Sequence, residues 1–97
     1  MLLLIIFCKV SAFKMKMNQV NKETLEVFRE RLRNIRGEKG LTQEDMGYYL
    51  DIRQSSYAKY ENGKASPHIL SLVKISIILQ VSIDYLLGRT DNKKLMK

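Results

Sequence analysis

A chain of 97 residues has room for one domain, and its 45% apolar content with one proline and five glycines suits a small all-helical core. One cysteine and one histidine exclude an internal disulfide and any multi-cysteine metal site, and no Ser/His/Asp set, paired carboxylate site or Gly-rich phosphate loop supports catalysis. The net charge of +7 is spread unevenly: residues 22–64 hold nine Lys/Arg against eight Asp/Glu, so most of the excess lies in the two flanks, where lysines commonly only solubilise.

Residues 2–8 read Leu-Leu-Leu-Ile-Ile-Phe-Cys and are closed by Lys9. Seven apolar residues fall far short of the roughly 20 that a membrane helix needs. No positive charge precedes the run and no clear small-x-small cleavage site follows it, so a secretory signal fits poorly. Residues 1–21 therefore read as an N-terminal extension, either outside the native chain, with a start at Met15 or Met17, or disordered. The competing reading is a hydrophobic strand or helix that packs on a partner chain.

A first helix is expected from about Thr24 to Glu38, with Leu25, Phe28, Leu32 and Ile35 as its buried stripe, Arg29, Glu30, Arg33 and Arg36 mostly on its wet side, and Gly40 as its stop. Thr42 and Asp45 form a capping-box-like pair at the start of a second helix, whose Met46 and Leu50 face the core. Gly47 lies between them, and close packing against the next helix compensates its cost of about 1 kcal/mol relative to alanine. The turn is Asp51-Ile52-Arg53, with Ile52 as its apolar plug. A third helix spans Gln54 to Asn62, with Tyr57 and Tyr60 inward, Gln54, Ser55, Ala58 and Lys59 outward, and Gly63 ending it.

Ser66 and Pro67 are expected to open a fourth helix as cap and first-turn residue, which leaves the lone His68 as a solvated side chain. Ile69, Leu72, Ser76 and Leu79 make one inward stripe. A second stripe, Leu70, Val73 and Ile77, with Tyr85 near in sequence, is a candidate dimer or partner surface, the resting place of the Leu2-to-Phe7 segment, or extra core. Val81 plugs the next turn, Ser82 caps a short fifth helix with Ile83, Leu86 and Leu87, and Gly88 stops it. The basic tail, residues 89–97, reads as frayed and solvated.

Leu41-Thr42-Gln43-Glu44, then Tyr60-Glu61-Asn62-Gly63, then Val81-Ser82-Ile83-Asp84-Tyr85-Leu86-Leu87, with Leu32 and Arg36 ahead of them, resemble the Cro/CI-type helix-turn-helix domain of phage repressors and related bacterial regulators. The resemblance covers about residues 26–88. It implies an all-α, compact five-helix, lambda-repressor-like domain over residues 22–88, binding double-stranded DNA without a cofactor or metal. Asp51 and Gln80 stand where that family usually has glycine, and Arg53 stands where a Ser or Thr cap is usual. A cation at a helix N-terminus opposes the dipole and supplies no cap, which suits a residue that touches DNA.

The resemblance further implies that the third helix enters the major groove, braced by the second. Gln43 then matches a phosphate-contacting glutamine at a helix N-terminus. Gln54 pairs with adenine through its amide, Ser55 serves several bases, Lys59 reaches guanine or a phosphate, and Ala58 meets a thymine methyl. Arg53, Asn62 and Lys64 are assigned to phosphates. Arg36 and Glu61 match an ion pair that links the first helix to the end of the third. The expected function is a cytoplasmic bacterial or phage transcriptional regulator, a repressor that occludes polymerase and acts as a homodimer on two half-sites. The alternative is an antitoxin-like or other protein-interaction module on the same fold.

Overall fold

The computed structural model describes residues 2–94, with side chains described from residue 12 onward. Among these residues there are five α-helices and no strand: α1 (Leu2–Glu38), α2 (Gln43–Leu50), α3 (Gln54–Asn62), α4 (Ile69–Leu79) and α5 (Ile83–Leu86). The core joins Phe28, Leu32 and Ile35 of α1 to Met46 and Leu50 of α2, Tyr57 of α3, Ile75 and Leu79 of α4, Val81 after it and Leu86 of α5.

Three helices end in the same way. The residue after the last turn adopts a left-handed conformation (Gly40 at φ 71°, Asp51 at 57°, Gln80 at 56°), and the next residue is apolar and turns into the core. Leu41 N–H returns to Arg36 O at 3.1 Å, Ile52 N–H to Gly47 O at 2.9 Å and Val81 N–H to Ser76 O at 3.2 Å. These bonds satisfy terminal carbonyls and are pinned by the side chain of the donating residue, buried at Val81 and half-buried against the core at Leu41 and Ile52. Leu41, Ile52 and Val81 are thus the pegs that turn a run of helices into a compact body. Ser76 sits in the core without penalty because its hydroxyl donates to Val81 O at 2.7 Å.

Glycine enters the left-handed region freely, whereas Gln80 does not. Gln80→Gly is expected to raise stability by about 0.5 to 1 kcal/mol, the relief of strain exceeding the added freedom of the unfolded chain. Urea unfolding checks this, and an unmoved or lower midpoint would refute it.

Several expectations need correction. The first helix does not begin near Thr24 but runs back to Leu2, since no proline or glycine interrupts residues 2–36 and nothing local stops a helix there. Leu25 is 45% exposed rather than buried. The fourth helix starts two residues later than Pro67, at Ile69, and its cap is His68 rather than Ser66: the exposed His68 ring accepts from Ser71 N–H. With that start the inward residues are Leu72, Ile75, Ser76 and Leu79, while Ile69 is 79% exposed. The tail through residue 94 is not free. Lys93 O accepts from Ser82 N–H at 3.0 Å, and Arg31 binds Thr90 O at 2.7 Å and the Asp91 carboxylate at 2.8 Å. The expectation that the Leu2–Cys8 run packs on a partner falls on side chains outside the described residues.

Candidate nucleic-acid interface

The capping box at the start of α2 forms as expected: Asp45 N–H donates to Thr42 Oγ1 at 3.0 Å, and Thr42 N–H donates to Asp45 Oδ2 at 2.8 Å. It fixes the helix end from which Gln43 projects. At the other end, a Cβ on Gly47 would lie 2.9 Å from Ile52 O and 3.2 Å from Gln54 N, so the bare glycine lets the turn and the start of α3 settle against α2. Arg53 takes the N-cap position of α3 with extended backbone, makes no side-chain cap and is exposed.

Tyr57 is fully buried beneath α3 and meets Tyr60 edge-on, with ring centroids 6.1 Å apart. That burial leaves Gln54, Ser55, Lys59, Asn62 and Lys64 exposed and Ala58 half-buried, so these residues share the outer side and the end of α3. The Gly63 turn closes the helix, with the Gly63 and Lys64 N–H groups both returning to Lys59 O.

A buried carboxylate holds this arrangement to the body. Glu61 has no exposed surface. Arg36 grips it with two bonds, Nε to Oε2 at 2.6 Å and Nη2 to Oε1 at 3.0 Å, and also donates from Nη1 to Leu41 O at 2.9 Å. Gln43 Nε2 donates to Glu61 Oε1 at 3.2 Å, and Gln54 Nε2 donates to Gln43 Oε1 at 2.7 Å. A continuous path therefore runs from α1 through the end of α3 and the start of α2 to the first exposed residue of α3. Burial of Glu61 opposes its ionisation, but the bonds from Arg36 and Gln43, the Arg36 charge and the nearness of the Tyr57 hydroxyl outweigh it and hold the carboxyl below its usual range. Burial, then the Glu61 charge, pushes the Tyr57 phenol well above its ordinary value. The buried Tyr57 hydroxyl has no hydrogen-bond partner among the described residues.

The structure brings Gln43, Gln54, Arg36 and Glu61 into one network, and it leaves Arg53 and Lys64 outside it. Sequence reasoning missed the two links made by Gln43, and also Arg29 and Arg33, whose guanidinium groups reach Asn62 O and Glu61 O at the end of α3. The spacing of Arg29, Arg33 and Arg36 on one side of α1 was the available signal. Leu70, Val73 and Ile77 do face outward, 66%, 39% and 60% exposed. Tyr85 does not join them: it is half-buried, and the Arg31 guanidinium lies 4.2 Å from its ring centre. Among the described residues, no group of three or more His, Cys, Asp or Glu is placed to hold a metal ion, and no helix is long and apolar enough to cross a membrane.

The chain is similar to several known proteins. The chain is 47% identical over 64 residues to YonR, a prophage-derived uncharacterized HTH-type transcriptional regulator of Bacillus subtilis, an alignment that takes in 66% of this chain and 59% of the relative. It is 42% identical over 71 residues to RstR, a cryptic-phage transcriptional repressor of Vibrio cholerae, across 70% of this chain and 63% of the relative. The chain thus spans about three-fifths of the length of these relatives. Among solved structures, the restriction-modification controller protein C.AhdI of Aeromonas hydrophila superposes with a TM-score of 0.59 at 27% identity, covering 64% of this chain and 94% of that one. A transcriptional regulator from Listeria innocua superposes with a TM-score of 0.60 at 30% identity, covering 63% and 57%. The helix-turn-helix family model matches residues 32–86, from the buried Leu32 to the buried Leu86, and the chain belongs to that family.

Proposed function

We propose that this chain is a DNA-binding transcriptional regulator that lays α3 in the major groove and reads an operator half-site with Gln54, Ser55, Ala58 and Lys59. The observation that carries this reading is the polar outer side of α3, held in place by the Gln54–Gln43–Glu61–Arg36 path. Each side-chain amide nitrogen has two N–H groups and uses one within the path. Gln54 therefore keeps an N–H and its carbonyl for an adenine edge, and Gln43 keeps an N–H for a phosphate. Arg53, Asn62 and Lys64 supply further phosphate contacts. Repression follows by occlusion of polymerase, the sign that the name of the RstR relative carries.

Selection of bound duplexes tests the reading, and failure to enrich any sequence would sink it. On the selected site, Gln54→Ala is expected to weaken binding by about 1 to 3 kcal/mol while sparing random DNA. Equal loss on both would remove its base-reading role. Lys64→Ala is expected to weaken all duplexes alike and to flatten the salt dependence by about one unit of slope, and an unchanged slope would count against a phosphate contact.

A single short helix reads few base pairs, so two copies on half-sites about 34 Å apart complete the function. The exposed face of α4 is assigned to that pairing: Leu70, Val73 and Ile77, now joined by Ile69, expose apolar surface that a lone domain has no use for. Sedimentation of wild type and Ile77→Asp checks it. A dimer that the substitution converts to monomer is expected, and a strictly monomeric wild type would refute it.

A further inference from the structure

Two arginines of α1 stand beside the last turn of α3 without a carboxylate to themselves. Arg29 Nη1 donates to Asn62 O at 3.4 Å, and Arg33 Nη2 donates to Glu61 O at 3.0 Å. Those carbonyls are the negative end of a helix, so both guanidinium groups are drawn to one place. Among the described residues no carboxylate oxygen lies within 4.0 Å of Arg29. Arg33 comes only within 3.8 Å of Glu61, whose oxygens Arg36 already holds at 2.6 Å.

Each of the two backbone contacts uses one N–H of a group that has five. The Arg33 side chain is 57% exposed. A Cβ on Gly63 would lie 2.9 Å from Arg29 Nη1, so the closing turn of α3 rests directly against that guanidinium. An open groove runs between α1 and this turn, lined by Arg29, Arg33, Asn34 and Asn62, with Glu26 and Glu30 also along it.

We propose that this groove is a second phosphate site for duplex DNA, in which Arg29 and Arg33 take backbone phosphates adjacent to the one assigned to Asn62 and Lys64. The inference rests on the major-groove reading of α3. A helix that enters the groove by its N-terminal end brings its C-terminal end against the phosphate backbone, and the groove is the surface next to that end. A planar guanidinium with unused N–H groups matches a phosphate in charge and in fork geometry. Glu26 and Glu30 oppose the anion and temper the site rather than define it.

The test is binding of the full chain to a selected site and to a mixed-sequence duplex over a salt series. The double variant Arg29→Ala/Arg33→Ala is expected to flatten the salt dependence by about two units of slope on both duplexes. An unmoved slope in a variant with wild-type circular dichroism would overturn the proposal. Both arginines also hold α3 carbonyls, so a second variant leaves them in place: Glu26→Gln/Glu30→Gln is expected to bind both duplexes about threefold more tightly at low salt, where charges are least screened. Unchanged binding in that variant would overturn it too. A wild type that ignores duplexes even in dilute salt would overturn the major-groove reading along with this one, whereas a wild type that binds while these variants change nothing overturns this one alone.

Discussion

Arg36→Ala is expected to cost about 3 to 5 kcal/mol of folding stability, far beyond the loss from an ordinary surface ion pair. The reason lies in what stays behind. Glu61 has no exposed surface and sits at the carbonyl end of α3, where the helix dipole already disfavours a negative charge. Without Arg36 it loses bonds at 2.6 and 3.0 Å and keeps only the Gln43 amide at 3.2 Å and Arg33 at 3.8 Å. Leu41 O loses its Arg36 donor in the same step. Urea unfolding at neutral pH measures the effect, and a loss below about 1 kcal/mol would place the pair with solvated ones.

The same pair sets a pH dependence. The folded-state pKa of Glu61 is depressed from its ordinary 4.5, so its contribution is fully present above that value and is lost as the pH falls through the folded value. Wild type is therefore expected to weaken on acidification below about pH 4.5. In Arg36→Ala burial acts with less opposition and raises the Glu61 pKa, so protonation relieves the variant. The gap in stability between the two proteins should close toward low pH, and a gap constant with pH would argue against Glu61 as its source.

How much of this was legible depended on how local each signal was. The second and third helices and their turn follow from neighbours in the chain: Thr42 and Asp45 cap each other, Ile52 plugs the turn, and Gly63 stops α3, and all stand where the sequence places them. The start of α1 was not legible because helix-compatible residues continue upstream without a break. Along α4 only Ser71, Lys74 and Ser76 are polar and they do not share one side, so periodicity could not choose between stripes, and a start placed two residues early chose Ile69 over Ile75. Contacts to backbone carbonyls carry no residue signature at the far end. That is why the anchoring of the tail by Arg31 and the reach of Arg29 and Arg33 to α3 went unread. The Arg36–Glu61 pair came from family resemblance, while the full burial of Glu61 and the extension of the pair through Gln43 to Gln54 came only from the packed structure.

Gly47→Val tests whether the position of α3, rather than its mere presence, makes the site. A side chain at Gly47 would meet Ile52 O at 2.9 Å, Arg53 C at 3.3 Å and Gln54 N at 3.2 Å, all of them backbone atoms that cannot rotate away. The turn must move as a body, and the start of α3 moves with it. Overpacking of this kind, with a branched side chain inside a helix, is expected to cost about 3 kcal/mol, even though a helical glycine replaced without a clash would gain up to about 1 kcal/mol. Gly37→Ala supplies that control: nothing lies within 4 Å of a Cβ there, so the same kind of change in α1 is expected to stabilise by about 0.5 to 1 kcal/mol. The shift in α3 also pulls Gln54 away from Gln43, a bond of 2.7 Å that does not tolerate displacement of the helix start. At a temperature where Gly47→Val is still folded, binding to a selected operator should therefore fall well below wild type while binding to random duplex, carried by charge, falls less. A folded variant that reads its operator as wild type does would show that the close approach of α2 to the turn is incidental to recognition.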